Sequence, residues 1–245
     1  MRIPRIYLDH ALHTGSTVPL PEQAAEHVAR VLRLEVGDRA ILFNGNGHDY
    51  DAELIAVTKR AVTATVTGVR AVSRESTLPL TLVQGIARGD KMDWIIQKAT
   101  ELGVTCIVPV VTERTEVKLG EERAERRMAH WHNVIVSACE QSGRNVLPQL
   151  EAPQKLHLWL AQLGDRAGKR LALLPEGDAT LGTLVVPADG ALLAVGPEGG
   201  FSEHDEAALY QAGFAGLRLG PRILRTETAG LAALAALQAR AGDLL

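Results

Sequence analysis

The sequence predicts a two-domain α/β protein, in which a small β-rich domain precedes a largely parallel α/β domain. Alternating runs rich in β-branched residues, separated by turn dipeptides, occupy residues 1–73. From Leu78 onward, apolar strands alternate with helical segments, which is the pattern of a parallel sheet. The length of 245 residues accommodates one medium and one small domain. We therefore expect domains at residues 1–73 and 74–245, with Arg74–Thr77 as the linker between them.

The bulk composition indicates a globular protein of the cytoplasm. Its 46% hydrophobic and 22% charged residues support an ordinary core. No apolar stretch reaches the roughly 20 residues of a membrane helix, and the N-terminus does not resemble a signal peptide. The two cysteines imply no disulfide framework and suit a reducing compartment. Because the net charge is only −3, any affinity for nucleic acid must come from local placement of Arg and Lys.

The first domain is predicted to contain one helix and several strands. The dipeptides Asn44-Gly45 and Asn46-Gly47 are hairpin-turn signals. They separate strands predicted at Ala40–Phe43 and Tyr50–Val57, and a further run, Ala61–Thr67, follows. The helix is predicted to begin at Pro21 and to place on one apolar face Ala24, Val28, Val31 and Leu32. These elements are typical of a small barrel.

The second domain is predicted to alternate strands and helices. Its strands are expected at Leu80–Ile86, Val104–Val111, Leu171–Leu174 and Ala191–Val195. Its helices are expected from Gly89 to a glycine cap at Gly103, at Glu121–Ser142, from the capping box Ser202–Asp205 to about Ala212, and from about Thr226 to Ala241. The apolar spacing predicts the buried faces of the first two helices, formed by Met92, Ile95, Ile96 and Ala99, and by Met128, Trp131, Ile135, Ala138 and Cys139.

Two glycine-rich loops near the C-terminus are the most informative feature of the chain. Gly196–Gly200 follows one predicted strand, and Leu219–Thr228 follows a short run ending at Arg218. Ligands of open α/β sheets bind at the carboxyl ends of strands, and glycine lets the backbone approach them closely. Ordinary tight turns are the alternative, but the charges of Glu198 and Arg225 favour a small-molecule cofactor site. Neither loop contains the Gly-x-Gly-x-x-Gly motif of dinucleotide-binding sites or the P-loop motif, which disfavours NAD and ATP as cofactors.

Other motifs are less specific. Arg88 and Lys91 lie at a strand-to-helix junction, where cations would favour a phosphate backbone, although a solvated first turn is the better explanation from this stretch alone. Arg144 has the same two interpretations. Cys139 lies at helical spacing from core residues, which favours packing over nucleophilic catalysis. The pair in His130–His132 lacks a third ligand at a suitable spacing, so no metal site is expected.

Taken together, these motifs closely resemble the RsmE family, the 16S ribosomal RNA uridine-N3 methyltransferases of the SPOUT superfamily. The resemblance extends over nearly the whole chain and is weakest at Glu151–Pro187. The stretches that carry it are Arg2–Arg5, His27–Arg33, Gln97–Gly103, Ala138–Arg144, Gly196–Gly200 and Leu219–Thr228.

The resemblance implies an N-terminal PUA-like RNA-binding β-barrel and a C-terminal SPOUT domain with a deep trefoil knot. It also implies a homodimer that uses S-adenosyl-L-methionine to methylate a specific uridine in the decoding region near the 3′ end of 16S rRNA, in the small ribosomal subunit. Cofactor contacts are expected from Leu174, Val195, Gly196, Pro197, Gly200, Leu219, Gly220, Ile223, Leu224 and Thr226. RNA contacts are expected from Arg2, Arg5, Arg30, Arg33, Arg88, Lys91 and Arg144.

Methylation of uridine N3 requires removal of its proton before or during attack on the methyl group. We expect Arg225 to hold the anionic base, with Glu198 and Glu227 as candidate proton acceptors. Either carboxylate could instead hold its loop in shape, and for Glu227 this role is at least as well supported. Two alternatives stay open: a non-catalytic PUA-like RNA-binding protein of ribosome assembly, and an unrelated α/β enzyme with a nucleotide cofactor.

Overall fold

The computed structural model describes residues 3–116 and 120–244, which form two compact units. The first unit combines Met1–Glu75 with Cys139–Leu147, and the second combines Ser76–Ala138 with Pro148–Leu245. Packing thus groups residues 139–147 with the β-rich part of the chain, although they follow a long stretch of the second unit. The limits 1–73 and 74–245 remain our proposal for the domains along the sequence.

The first unit is built on one mixed sheet. Its strands within the described residues are β1 (Arg5–Tyr7), β2 (Thr17–Pro19), β3 (Arg39–Phe43), β4 (His48–Val57) and β5 (Val62–Ala71). Their order is β1-β3-β4-β5-β2, with β1 parallel to β3 and the other pairs antiparallel. The predicted strands β3, β4 and β5 are confirmed. The two short strands were not predicted, because three residues that pair with distant partners leave no alternating pattern.

The helix of this unit changes its geometry halfway. Helix α1 (Glu22–Glu26) continues as a π-helical turn at His27–Val31, where the Leu32 N–H donates to the His27 carbonyl at 3.0 Å. Val28 is buried as predicted, but Val31 is 66% exposed. The prediction that Val31 lies on the buried face is therefore wrong. The wider π turn rotates later residues away from the face that a 3.6-residue period predicts.

The second unit is built on a parallel sheet, as predicted. Its strands within the described residues are β6 (Leu80–Gly85), β7 (Cys106–Val111), β8 (Gln149–Leu150), β9 (Gln154–Lys155), β10 (Lys169–Leu173), β11 (Ala179–Thr180), β12 (Ala191–Val195) and β13 (Ala215–Arg218). Their order is β11-β13-β10-β12-β6-β7-β8, with β9 also beside β7, and every pair is parallel. All the strands therefore end at the same edge of the sheet.

Helices cover this sheet: α2 (Asp90–Glu101), α3 (Glu121–Ser142), α4 (Leu156–Ala161), α5 (Glu203–Gln211) and α6 (Thr226–Ala241). The predicted face of α2 is buried, and Gly103 has the positive φ of a C-terminal cap. Both hydrogen bonds of the capping box between Ser202 and Asp205 are present. Helix α4 was not predicted. It lies in Glu151–Pro187, where the resemblance is weakest.

Cys139 is fully buried at the end of α3, and burial raises the pKa of its thiol to about 12. A thiol that stays protonated is a poor nucleophile, which agrees with the packing role. His130 Nε2 donates a hydrogen bond to the Asp93 carboxylate at 2.7 Å. Among the described residues, no group of His, Cys, Asp and Glu is arranged to hold a metal, and no helix is long and apolar enough to cross a membrane.

The first unit contains a buried ion pair. Both guanidinium Nη atoms of Arg5 donate to the Asp49 carboxylate at 2.8 Å, and Asp49 is fully buried. Asn145 donates to the same carboxylate at 3.1 Å. Burial by itself would raise the pKa of Asp49, but the hydrogen bonds from Arg5 and Asn145 and the positive charges of Arg5 and Arg74 outweigh it and lower the pKa.

Replacement of Asp49 with Ala should lower the free energy of unfolding by about 3–5 kcal/mol, because it leaves the buried guanidinium of Arg5 without a partner. Asp51→Ala is the matched control on the same strand, since Asp51 forms an equally bidentate pair with Arg70 at an exposed position. Its cost should stay below about 1 kcal/mol. Urea-induced unfolding, followed by circular dichroism, measures both values. Equal losses of unfolding free energy in the two variants would contradict the larger contribution of the buried pair.

The same pair should make stability depend on pH. Because the pKa of Asp49 is lowered in the folded state, its contribution is complete above the ordinary carboxylate pKa of about 4 and is lost as the pH falls through the lowered value. The difference in stability between the wild type and Asp49→Ala should therefore shrink on acidification below that point. A difference that stays constant from neutral pH into this acidic range would argue against the pair as its source.

Candidate functional site

Three loops meet at the carboxyl edge of the parallel sheet: those after β6, β12 and β13. The first two touch through their backbones, because a Cβ built on Gly85 would lie 2.5 Å from Cδ and 2.6 Å from the backbone N of Pro197. The loop after β12 is also folded tightly on itself, since a Cβ on Gly196 would lie 2.8 Å from the carbonyl carbon of Gly200. Glycine is required at both positions by close approach of main-chain atoms.

The hydroxyl of Thr226 joins these loops. It donates to the Gly196 carbonyl at 2.6 Å and accepts from Gln84 Nε2 at 2.9 Å. Gln84 also donates to the Gly85 carbonyl at 2.8 Å, and the side chains of Gln84 and Thr226 are buried. Gln84 was not predicted as part of the site. The sequence signal that could have identified Gln84 is an amide side chain at the end of an apolar strand. A polar side chain buried there must have a hydrogen-bond partner.

Glu198 connects the loop after β12 to the start of α2. Its Oε1 accepts from the Arg88 backbone N–H at 3.1 Å and lies 3.4 Å from Lys91 Nζ, and its side chain is 22% exposed. Burial would raise the pKa of Glu198, but the hydrogen bonds from the backbone N–H groups of Arg88 and of Glu198 itself, together with Lys91, lower it overall. The carboxylate is therefore ionised and committed to a backbone contact.

Glu227 lies in the first turn of α6, where a carboxylate is favoured by the helix dipole. Its Oε2 is buried and has no hydrogen-bond partner among the described residues. The nearest cation is Lys91, whose Nζ lies 3.8 Å from that oxygen. Lys91 thus stands between the two predicted acidic residues, Glu198 and Glu227.

Arg225 is the N-cap residue of α6, and its side chain is exposed. This side chain makes no hydrogen bond or ion pair with any residue that the structure describes. The same holds, within residues 3–116 and 120–244, for Arg218 and Arg222 in the same segment. The loop after β13 therefore presents cationic groups that are available to a ligand, and the predicted catalytic Arg225 is one of them.

A cavity of about 600 Å³ opens beside the loop after β13. Its volume is within the range of small-molecule sites. Predicted cofactor residues in its wall are Leu219, Gly220 and Leu224, and they are joined by Thr180, Leu181, Gly182, Arg218, Pro221 and Ala232, which were not predicted as contacts. Three of these six missed residues, Thr180, Leu181 and Gly182, come from β11 and the turn after it, in the segment where the resemblance is weakest.

The other predicted cofactor residues lie outside that wall. Those with buried positions are Leu174, Val195, Gly196, Pro197 and Thr226. Gly200 has a φ of +69°, and a Cβ there would have no neighbour within 4 Å. The side chain of Ile223 is the exception to burial, at 86% exposed. Thr226 and Gly196 are tied directly to each other, but the contact roles of this set stay predictions.

The predicted RNA-binding residues occupy two different environments. Arg30, Arg33 and Arg88 are exposed, and Lys91 is partly exposed. Arg30 pairs with Glu26 at 3.2 Å, and Arg88 pairs with Glu116 at 2.8 Å. Exposed pairs of this kind are weak and can exchange for a phosphate.

Arg5 and Arg144, in contrast, are buried in ion pairs, with Asp49 and with Glu75 at 2.6 Å respectively. A phosphate contact would require a buried guanidinium to leave its carboxylate, so this geometry favours a structural role for both, and their contact with RNA stays a prediction. Arg2 lies outside the described residues.

Comparison with protein families agrees with this architecture. The model of an RNA methyltransferase PUA domain matches residues 20–67, and that of an RNA methyltransferase domain matches residues 74–238, which is more than half of the chain. The fold and the site therefore define an RNA methyltransferase with an N-terminal PUA domain.

Individual relatives give a narrower assignment. The ribosomal RNA small subunit methyltransferase E of Buchnera aphidicola subsp. Schizaphis graminum is 32% identical over 243 residues, which cover 99% of this chain and 98% of the relative. That of Bacillus subtilis is 32% identical over 233 residues, covering 92% and 91%. The chain belongs to the family of ribosomal RNA small subunit methyltransferase E, which supports an enzyme over the non-catalytic alternative.

Solved structures show the same similarity. The ribosomal RNA small subunit methyltransferase E from Neisseria gonorrhoeae, bound to S-adenosyl methionine, is 40% identical, with a TM-score of 0.94 over the full length of both chains. A methyltransferase from Legionella pneumophila in complex with the same cofactor is also 40% identical, with a TM-score of 0.95 over the full length of both. The mixed α/β fold expected for this family is therefore confirmed, whereas the trefoil knot stays a prediction.

Gly85→Ala should destabilise the protein by about 1–3 kcal/mol, because the added methyl group collides with the main chain at Pro197. Gly120→Ala is the matched control, since a Cβ at Gly120 would have no neighbour within 4 Å and no positive φ is recorded there. Chemical denaturation measures both variants. A Gly85→Ala protein as stable as the control would show that the loops can separate without cost.

Proposed function

We propose that this protein transfers the methyl group of S-adenosyl-L-methionine to N3 of a specific uridine in the decoding region near the 3′ end of 16S rRNA. The observation that carries the proposal is the meeting of three loops at the carboxyl edge of the sheet, beside a cavity lined by the loop after β13. Arg225 lies there at the start of α6, without a partner among the described residues. Family membership and the cofactor in two related solved structures add support.

The site fits this cofactor on structural grounds. Gly200 and Gly220 have φ values of +69° and +76°, and neither has a neighbour within 4 Å of the position that a Cβ would take, so the backbone is open to a ligand at both. The cavity has a suitable volume, about 600 Å³. When bound, S-adenosyl-L-methionine supplies a methyl group on a positively charged sulfur. We assign its binding to the ten predicted cofactor residues, joined by the remaining residues of the cavity wall.

The chain then has to place the uridine and remove its N3 proton. Arg225 stabilises the uridine anion through its guanidinium, which makes no hydrogen bond or ion pair with any described residue. Glu227 accepts the proton, since its Oε2 has no hydrogen-bond partner among the described residues. Glu198 is already committed to the Arg88 N–H, and its lowered pKa makes it a poor proton acceptor. Lys91 holds both carboxylates in position. Most of the remaining rate enhancement comes from proximity of the reacting groups.

The RNA is held by cations at the surface of each unit. We assign phosphate contacts to Arg30, Arg33 and Arg88, with Lys91 partly engaged by its carboxylates. Arg33 has a φ of +54° at the end of the π-helical turn, a conformation that usually favours glycine, so an arginine there costs backbone energy.

We also propose that the protein acts in the cytoplasm, forms a homodimer and contains the trefoil knot.

Mass spectrometry of small-subunit rRNA from cells with and without the gene tests the function. The deletion should remove one methyl group from one uridine, and complementation should restore it. Unchanged rRNA methylation together with retained RNA binding would instead identify a non-catalytic assembly protein. Binding of NAD or ATP, but not S-adenosyl-L-methionine, would indicate an unrelated nucleotide-dependent enzyme.

Arg225→Ala should abolish methyl transfer, because the uridine anion loses its stabilising cation, while cofactor binding measured by calorimetry should largely survive. Removal of one group that stabilises a developing oxyanion costs about 10²–10³ in kcat. The control is Arg222→Ala, which removes a neighbouring exposed arginine that has no role in the proposed chemistry. Full methyl transfer by Arg225→Ala would exclude Arg225 from the mechanism.

The two carboxylates should respond differently to amide substitution. Glu227→Gln should lower kcat by about 10²–10⁴, the usual contribution of a general base. Glu198→Gln should change kcat less than about tenfold, because an amide oxygen still accepts the hydrogen bond from Arg88 N–H, and each 1.4 kcal/mol corresponds to a factor of ten. Single-turnover methylation assays separate the chemical step from product release. The reverse order of effects would assign proton transfer to Glu198.

A further inference from the structure

The cavity beside the loop after β13 has an uneven distribution of charge. Its wall consists of glycine, proline, apolar residues and one threonine, and Arg218 is the one charged residue among the described residues that line it. Arg218 ends β13, pairs in register with Thr180 of β11, and has an exposed side chain. No described residue forms an ion pair or a side-chain hydrogen bond with it. A guanidinium in such a position is available to an anionic group in the cavity.

The chemistry of the proposed cofactor limits what Arg218 can contact. S-adenosyl-L-methionine carries two positive groups, the sulfonium and the α-ammonium, and one negative group, the α-carboxylate. A guanidinium repels the first two and attracts the third. Arg is also the side chain whose planar fork of N–H donors matches a carboxylate through two parallel hydrogen bonds.

We propose that Arg218 binds the α-carboxylate of S-adenosyl-L-methionine and thereby determines recognition of the methionine end of the cofactor. This inference rests on the proposed function, since it concerns the same cavity and the same cofactor. It adds a specificity-determining residue that lies outside the glycine-rich motifs.

The test compares two ligands that differ only in the carboxylate. S-adenosyl-L-methionine and its decarboxylated form share the adenosine, the sulfonium and the amine. Calorimetry on the wild type should show about tenfold to hundredfold weaker binding of the decarboxylated form, the range for a hydrogen-bonded contact to a charged group. Arg218→Ala should weaken binding of S-adenosyl-L-methionine by a similar factor. It should leave binding of the decarboxylated form unchanged or tighter, because a cation that repels the ligand is removed.

Two control variants sharpen the comparison. Arg218→Lys keeps the charge but loses the planar fork, and it should recover part of the preference for the carboxylate. Arg222→Ala removes an exposed arginine that does not line the cavity, and it should preserve the full preference. Thermal unfolding of Arg218→Ala should match that of the wild type, since the side chain is exposed.

Three results would overturn the inference. An equal loss of affinity for both ligands in Arg218→Ala would assign Arg218 to the shared part of the cofactor. Unchanged affinity for both, with weaker binding of RNA, would assign it to the substrate. A wild type that binds neither ligand would reject the cofactor of the proposed function, and this inference with it, whereas the first two results leave that function intact.

Discussion

The Thr226 hydroxyl is the contact on which the geometry of the site depends. It donates to the Gly196 carbonyl and accepts from Gln84, so one side-chain oxygen joins the end of β6, the loop after β12 and the start of α6. Both of its partners are buried, where water cannot replace a lost hydrogen bond. Gly85 and Pro197 approach each other closely at the same junction. The loops are therefore held by main-chain packing and by a few buried polar bonds, which preserves the shape of a site whose own surface is open.

The charged side chains near the loops form two groups: those that contact other parts of the protein, and those that have no partner in the part of the chain that the structure describes and can contact a ligand. Glu198 and Lys91 act on neighbouring parts of the chain, and both contribute to the contact between the loop after β12 and the start of α2. Arg225 and Arg218 have no ion-pair partner among the described residues. In the first unit, Arg5 and Arg144 belong to the group that contacts the protein itself, since each forms a buried ion pair. An arginine in a sequence motif is thus available to a ligand where the fold leaves its guanidinium exposed, either without a carboxylate or in a weak surface pair.

Much of the fold could be predicted from the sequence because its signals are local. The period of the apolar residues identified α2, α3 and four strands of the parallel sheet, β6, β7, β10 and β12, and the capping box identified the start of α5. The strands β1 and β2 could not be predicted, since three residues carry no period and their partners are distant in the chain. The exposure of Val31 could not be predicted either, because a π-helical turn changes the period within one helix.

The sequence by itself determined the two glycine-rich loops, their position after β12 and β13, and the identity of the charges that they carry, because glycine spacing and strand ends are local properties. Only the tertiary structure decided which of these charges are free. Whether Arg225 is unpaired while Arg5 is buried against Asp49 depends on residues 44 positions apart in the chain, which no motif contains. The same reason explains why Gln84 and Arg218 were not predicted: their place in the site comes from neighbours brought by other strands.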